Sequence, residues 1–166
     1  MTESFEVKPI SREGVPEAIK RAEHYRLLNE PEQAESICLD ILAADPENER
    51  AFVVLLLATT DQFGRTGAHA DAQKAREYLA GVKDQYQRTY YAGIICEREA
   101  RVYLHRGWSS VFAYDGFRDA MDWYEKAAQI RPPGNDDAIL RWNTCVRTIR
   151  RANLRPRVET GEQPLE

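Results

Sequence analysis

The sequence predicts an all-α fold. Apolar residues recur three and four positions apart along most of the chain, which is the period of an α-helix. Proline and glycine interrupt this pattern at short intervals, and the alternating pattern typical of strands is almost absent. Two parts of the chain also share the same spacing of small and aromatic residues, which indicates repeated helical hairpins.

The first half of the chain contains three predicted helices. Pro16 suits a first helical turn, so the first helix is expected over 16–28, and Pro31 separates it from a second over 32–44. A third helix, 49–62, follows Pro46 and carries the longest apolar run, 51–58. Because this helix is apolar on nearly every side, we expect it to be the most buried one.

The second half contains four more predicted helices, over 70–82, 85–105, 114–130 and 135–152. Gly64 and Gly67 form a loop before the first of these, and Pro132, Pro133 and Gly134 stop the third. Asn135 or Asp136 is suited to cap the last helix. The predicted domain is 14–152, and the polar ends, 1–13 and 153–166, are expected to be mobile.

Composition excludes several classes of protein. The chain has 166 residues, of which 43% are apolar and 30% charged, with a net charge of −4, as in ordinary globular proteins. The longest apolar run is far shorter than the ~20 residues of a membrane span, and the first residues lack the apolar core of a signal peptide. We therefore expect a cytoplasmic protein without a membrane partner.

The distribution of charge bears on nucleic-acid binding. Residues 1–50 carry 6 basic and 12 acidic side chains, whereas residues 101–150 carry 8 and 6. An acidic front half and a mildly basic back half do not make the broad basic surface that general nucleic-acid binding needs. Nucleic acid is therefore disfavoured as a partner.

The sequence offers no motif for catalysis, a cofactor or a metal. The three cysteines, Cys38, Cys96 and Cys145, form no CxxC pair and lie among apolar residues, so they are expected to be buried thiols. None of the usual zinc-protease, hydrolase, phosphate-loop or dinucleotide motifs is present. We expect a protein that is not an enzyme and needs no cofactor.

Two units of the chain carry the repeat. In the first, Ala22 and Tyr25 lie on one helix, and Ala34, Cys38 and Ile41 on the next, before Pro46. A later unit has the same spacing, with an insertion between its two helices: Ala100, Tyr103 and Gly107, then Ala120, Tyr124, Ala127 and Pro132. This pattern resembles the tetratricopeptide repeat, a helix-turn-helix unit of about 34 residues.

The resemblance implies an architecture and a kind of function. It implies three helical hairpins in a right-handed superhelix, with the last helix as a C-terminal cap. Small residues at the repeat positions let the helices of a hairpin approach closely, and the hairpins must stack to bury their faces. In this family the first helix of each hairpin lines a concave groove, so the expected function is a non-catalytic adaptor or scaffold that binds a protein or peptide.

The helical period predicts which residues face such a groove. Arg98, Arg101 and His105 share one face of the fifth helix and suit a carboxylate or phosphate. The predicted binding residues are Val53 and Leu57 as an apolar floor, with Arg98, Arg101, His105, Asn143 and Arg147 as donors. The alternative is a solvated face on which Glu97 or Glu99 neutralises the arginines.

Other functions stay open at this point. Secretion-type chaperones are similar in length and charge, and self-association is open as well. The lysine and asparagines with which some family members grip chaperone tails are replaced by Ile19, Glu23 and Leu57, which disfavours that role. The arginine-rich last helix is an alternative site for nucleic acid or another anionic ligand.

The aromatic insertion over 108–114 has two interpretations. It would be an interaction site if its side chains were exposed. It would instead lengthen the sixth helix, or cover an edge of the core, if it folded back. We favour the second interpretation.

Overall fold

The computed structural model describes residues 4–65, 68–107 and 110–159, with the backbone alone for 68–70. Within these ranges the chain is helical and contains no strand, so the all-α prediction is confirmed. A 3-10 turn, Arg12–Gly14, leads into the first helix. The helices are α1 (Val15–Leu27), α2 (Pro31–Ala44), α3 (Glu49–Asp61), α4 (Ala68–Leu79), α5 (Gln85–His105), α6 (Ser110–Gln129) and α7 (Asp137–Arg151).

Side-chain hydrogen bonds mark the starts of α3, α5 and α7. The Asn48 side chain accepts a hydrogen bond from the Ala51 amide at 2.9 Å, and Asp84 accepts one from the Gln87 amide at 2.8 Å. At α7 the Asn135 side chain accepts from the Asp137 amide at 3.0 Å. Each bond satisfies an amide that the first helical turn leaves without a partner.

Each helix packs against the next along the chain, and α3 also contacts both α1 and α5. The small residues of the repeat pattern lie at these contacts, because Ala22, Ala34, Ala100, Ala120 and Ala127 are all completely buried. Helix α3 is buried on most sides, as its sequence predicts. None of the helices in the described ranges has the length and apolar character needed to cross a membrane.

The hairpin of α5 and α6 depends on two glycines. A Cβ at Gly93 would lie 2.5 Å from the Tyr124 ring, and a Cβ at Gly116 would lie 2.8 Å from the Ala100 Cβ. Both distances are shorter than van der Waals contact, so only glycine lets these helices lie so close together. Neither glycine was predicted from the sequence to have this role.

The structure differs from the predicted boundaries most at α6 and at the C-terminal end, while α4 runs over Ala68–Leu79 instead of 70–82. Helix α6 begins at Ser110 rather than at 114, so the described part of the aromatic insertion lengthens the helix; Trp108 and Ser109 lie outside the described residues. Leu154, which the prediction placed in the tail, is buried in the largest apolar cluster. Its amide donates to the Ile149 carbonyl at 3.0 Å, and Asn153 has the left-handed conformation that closes a helix in this way.

The cysteines agree with the prediction at two of three positions. Cys38 and Cys145 are buried, and burial raises the pKa of each thiol to about 12. Cys96 is only partly buried, because it faces a gap between α4 and α6. None of the three forms a disulfide with another.

Candidate binding surface

The odd-numbered helices carry a set of shared ion pairs. Asp61, at the end of α3, accepts hydrogen bonds from Arg26 of α1 at 2.8 and 3.2 Å. The same carboxylate accepts one from Arg98 of α5 at 3.2 Å. A single acidic side chain therefore connects three helices that are separated along the chain.

A second shared carboxylate connects α5, α6 and α7. Glu97 is completely buried, and its Oε1 accepts from Arg101 at 2.8 and 3.2 Å and from Arg141 at 3.4 Å. Its Oε2 accepts from the Tyr124 hydroxyl at 2.6 Å. Burial, together with the Glu97 charge, raises the pKa of Tyr124, so the hydroxyl keeps its proton.

Arginine exceeds carboxylate in both clusters. Each of the two carboxylates is shared by two guanidinium groups, which leaves one positive charge in excess per cluster. The side chains of Arg98, Arg101 and Arg141 are 30%, 30% and 33% exposed, so they keep contact with solvent. Guanidinium groups that are held in place and still reachable suit a carboxylate or phosphate ligand.

Tyrosines lie beside the Glu97 cluster. The rings of Tyr86 and Tyr90 are stacked, with their centres 6.0 Å apart. The ring centres of Tyr90 and Tyr91 are 5.1 Å apart. The ring centre of Tyr90 also lies 5.9 Å from that of Tyr124, the residue that donates to Glu97. All three rings are partly buried, so their edges can contact a ligand without being mobile in the free protein.

The predicted groove residues divide into two groups. Arg98 and Arg101 are half-buried and lie on the face described above, and Leu57 is partly buried against the adjoining apolar clusters. Val53, however, is 1% exposed and lies inside the core, so no partner can reach it. Leu57 alone remains of the predicted apolar floor.

The other predicted donors take no part in the two ion-pair clusters. His105 and Arg147 are exposed, Asn143 is half-buried, and none of the ion pairs found among the described residues includes His105 or Arg147. The α7 residue that reaches α5 is Arg141, which lies on the same helical face as the buried Ala138 and Cys145. The sequence could have indicated that Arg141 faces α5, because this residue lies in the apolar stripe of α7.

The interpretation that Glu97 neutralises an arginine describes Arg101 correctly. Glu97 pairs with Arg101, whereas Arg98 pairs with Asp61, a partner that was not predicted from the sequence. The Arg101 side chain is 30% exposed and contacts a carboxylate that is completely buried. Replacing Arg101 will therefore affect the stability of the fold as well as the binding of any ligand.

The fold and this surface define an all-α protein with an arginine-rich, tyrosine-lined face. No group of side chains suited to a metal occurs among the described residues. No protein-family model, no curated protein and no solved structure matches the chain.

Proposed function

We propose that this chain is a non-catalytic, tetratricopeptide-like adaptor that binds an acidic segment of another protein. The surface we assign to the partner is defined by Leu57, Tyr90, Arg98, Arg101 and Arg141; we call it the arginine face. The observation that carries the proposal is the excess of half-buried arginine over carboxylate at Asp61 and Glu97.

The packing order supports an array of hairpins. In a stack of hairpins, the first helix of one pair contacts the first helix of the next, and α3 contacts both α1 and α5 in this way. The second helices, α2, α4 and α6, then lie on the other side. This arrangement would put the arginine face on the side that arrays of this kind use for partners.

The chemistry of the arginine face selects the partner. Positive charge is in excess, and the neighbouring rings and Leu57 supply apolar contact area. An extended segment with glutamate, aspartate or phosphorylated side chains, or with a free C-terminal carboxylate, matches both features. Such a carboxylate would take up hydrogen-bonding capacity that Arg98 and Arg101 do not use on Asp61 and Glu97.

The test begins with the proteins that co-purify with the chain, identified by mass spectrometry and located by cross-linking. The affinity of the purified partner is then measured for the wild type, Arg98→Ala and Arg118→Ala. Loss of one charge-assisted hydrogen bond should weaken binding about ten- to a hundred-fold for Arg98→Ala. Stability should change by less than ~1 kcal/mol, because Asp61 keeps Arg26.

Arg118→Ala is the matched control. Arg118 is an exposed arginine on α6 whose ion pair with Asp122 is 3.7 Å long, and it lies outside the arginine face. Its replacement should leave affinity unchanged. Cross-links confined to α2, α4 and α6, or equal affinity for all three proteins, would contradict the proposal.

A second candidate function rests on the arginines of the C-terminal segment. Arg147, Arg150, Arg151, Arg155 and Arg157 are all exposed, and none takes part in an ion pair among the described residues. These charges would bind a polyanion such as nucleic acid. A titration with labelled single-stranded RNA at several salt concentrations separates the two functions, because polyanion binding weakens steeply as salt increases.

A further inference from the structure

A cleft of about 470 Å³ opens on the opposite side of α5 from the arginine face. Helices α4 and α6 both pack on α5, and the cleft lies between them with α5 as its floor. The floor consists of residues three to four positions apart on one face of α5, which therefore point the same way. Its lining is Arg76, Leu79, Lys83, Gln85, Arg88, Thr89, Ala92, Cys96 and Trp123.

The lining combines positive charge with apolar walls. It includes three cationic side chains and no acidic one. Arg76 lies 4.0 Å from Glu99, and Lys83 lies 3.1 Å from Glu47, whereas Arg88 has no ion pair with any residue that the structure describes. Arg88 is thus the cation best placed to hold an anion from solution.

The apolar part of the lining includes an aromatic ring against which a flat ligand can stack. Trp123 forms one wall, and Leu79, Ala92 and Cys96 line the rest of the apolar surface. Lys126 lies with its Nζ 4.9 Å from the centre of the Trp123 ring, which adds positive charge at this wall. The volume falls within the range of about 300–1,000 Å³ that is usual for small-molecule sites.

We propose that this cleft binds a small aromatic anion, with the ring system against Trp123 and the anionic group on Arg88. The class comprises planar molecules that carry a carboxylate, sulfonate or phosphate. This site is independent of the arginine face, since the two lie on opposite sides of α5. A partner and a small ligand could therefore occupy the protein together.

The experiment compares two dyes that share their ring system. Anilinonaphthalene sulfonate carries a negative charge, and phenylnaphthylamine is its uncharged analogue. Fluorescence titration of the intact chain should give at least ten-fold tighter binding of the sulfonate. Arg88→Ala should remove most of that difference, whereas Arg118→Ala, an exposed arginine outside the cleft, should preserve it.

A second variant tests the apolar wall. Trp123→Ala should weaken both dyes, because both lose the same ring contact, and the ratio between them should persist. Trp123 is already 37% exposed, so the variant should still fold, which its melting curve checks. Equal affinity for the two dyes in the wild type, or an Arg88→Ala protein that retains the wild-type ratio, would overturn the proposal.

Discussion

At the scale of single residues, the main feature is the buried carboxylate of Glu97, whose single negative charge faces two arginines. Glu97 lies where α5 meets α6 and α7, and its two oxygens accept from two arginines and a tyrosine. Burying a charge is costly unless opposite charges and hydrogen bonds compensate it. Removing the carboxylate would take this acceptor from two arginines and from the Tyr124 hydroxyl.

We therefore expect Glu97→Ala to lower the free energy of unfolding by about 3 kcal/mol. This is the lower end of the range for breaking a buried ion pair, because both arginines keep some contact with water. Chemical denaturation measures the change. Asp122→Ala is the control: its carboxylate is 59% exposed and its pair is 3.7 Å long, so a change within about 0.5 kcal/mol is expected.

Glu97→Gln separates charge from shape. It keeps an acceptor for Tyr124 but removes the negative charge that Arg101 and Arg141 face, so its stability should lie between those of the wild type and Glu97→Ala. If Glu97→Ala were as stable as the Asp122→Ala control, the shared ion pairs would contribute nothing to the fold.

At the scale of helices, the packing depends on small residues that let neighbouring helices lie close together. Ala34 and Ala120 are completely buried at contacts between helices, and Gly93 lies under the Tyr124 ring. The space at these positions is already filled, so additional atoms must displace a helix.

Ala34→Leu and Ala120→Leu should each cost about 1–3 kcal/mol of stability by overpacking. Ala43→Leu, at an exposed position of the same helix as Ala34, should change it by less than about 0.5 kcal/mol. Thermal unfolding of the three variants checks the difference. Unchanged melting of both buried variants would mean that the repeat positions do not mark helix contacts.

Helix positions were largely predictable from the sequence, whereas helix rotation was not. Pro31, Pro46 and Pro132 act locally, so they marked helix ends to within a few residues. Whether Arg141 or Arg147 faces α5 depends on how α7 turns about its axis, and that is decided by tertiary packing. Asp61 was missed for the same reason, because its partners come from α1 and α5.

At the scale of the whole molecule, the folded unit extends further along the chain than its pattern indicated. Leu154 lies beyond α7 and yet packs in the cluster that holds α5, α6 and α7 together. Val158, only four residues later, is 83% exposed. The boundary of the packed core therefore lies between these two residues.

Leu154→Ala should lower the free energy of unfolding by about 2–3 kcal/mol, as expected for truncating a buried leucine at the edge of a core. Val158→Ala should have no measurable effect, because its side chain is in solvent already. Urea denaturation of both variants makes the comparison. Equal stability of the two would place residue 154 outside the folded unit.

The carboxylate of Asp61 also affects how rigidly α1, α3 and α5 are held together. Its hydrogen bonds link α1 and α5 to the end of α3, so the spacing of three helices depends on one side chain. A partner carboxylate that bound the unused donors of Arg98 would act on the same side chain that links α5 to the end of α3. Partner binding at the arginine face and the resistance of α1, α3 and α5 to bending relative to one another would therefore change together.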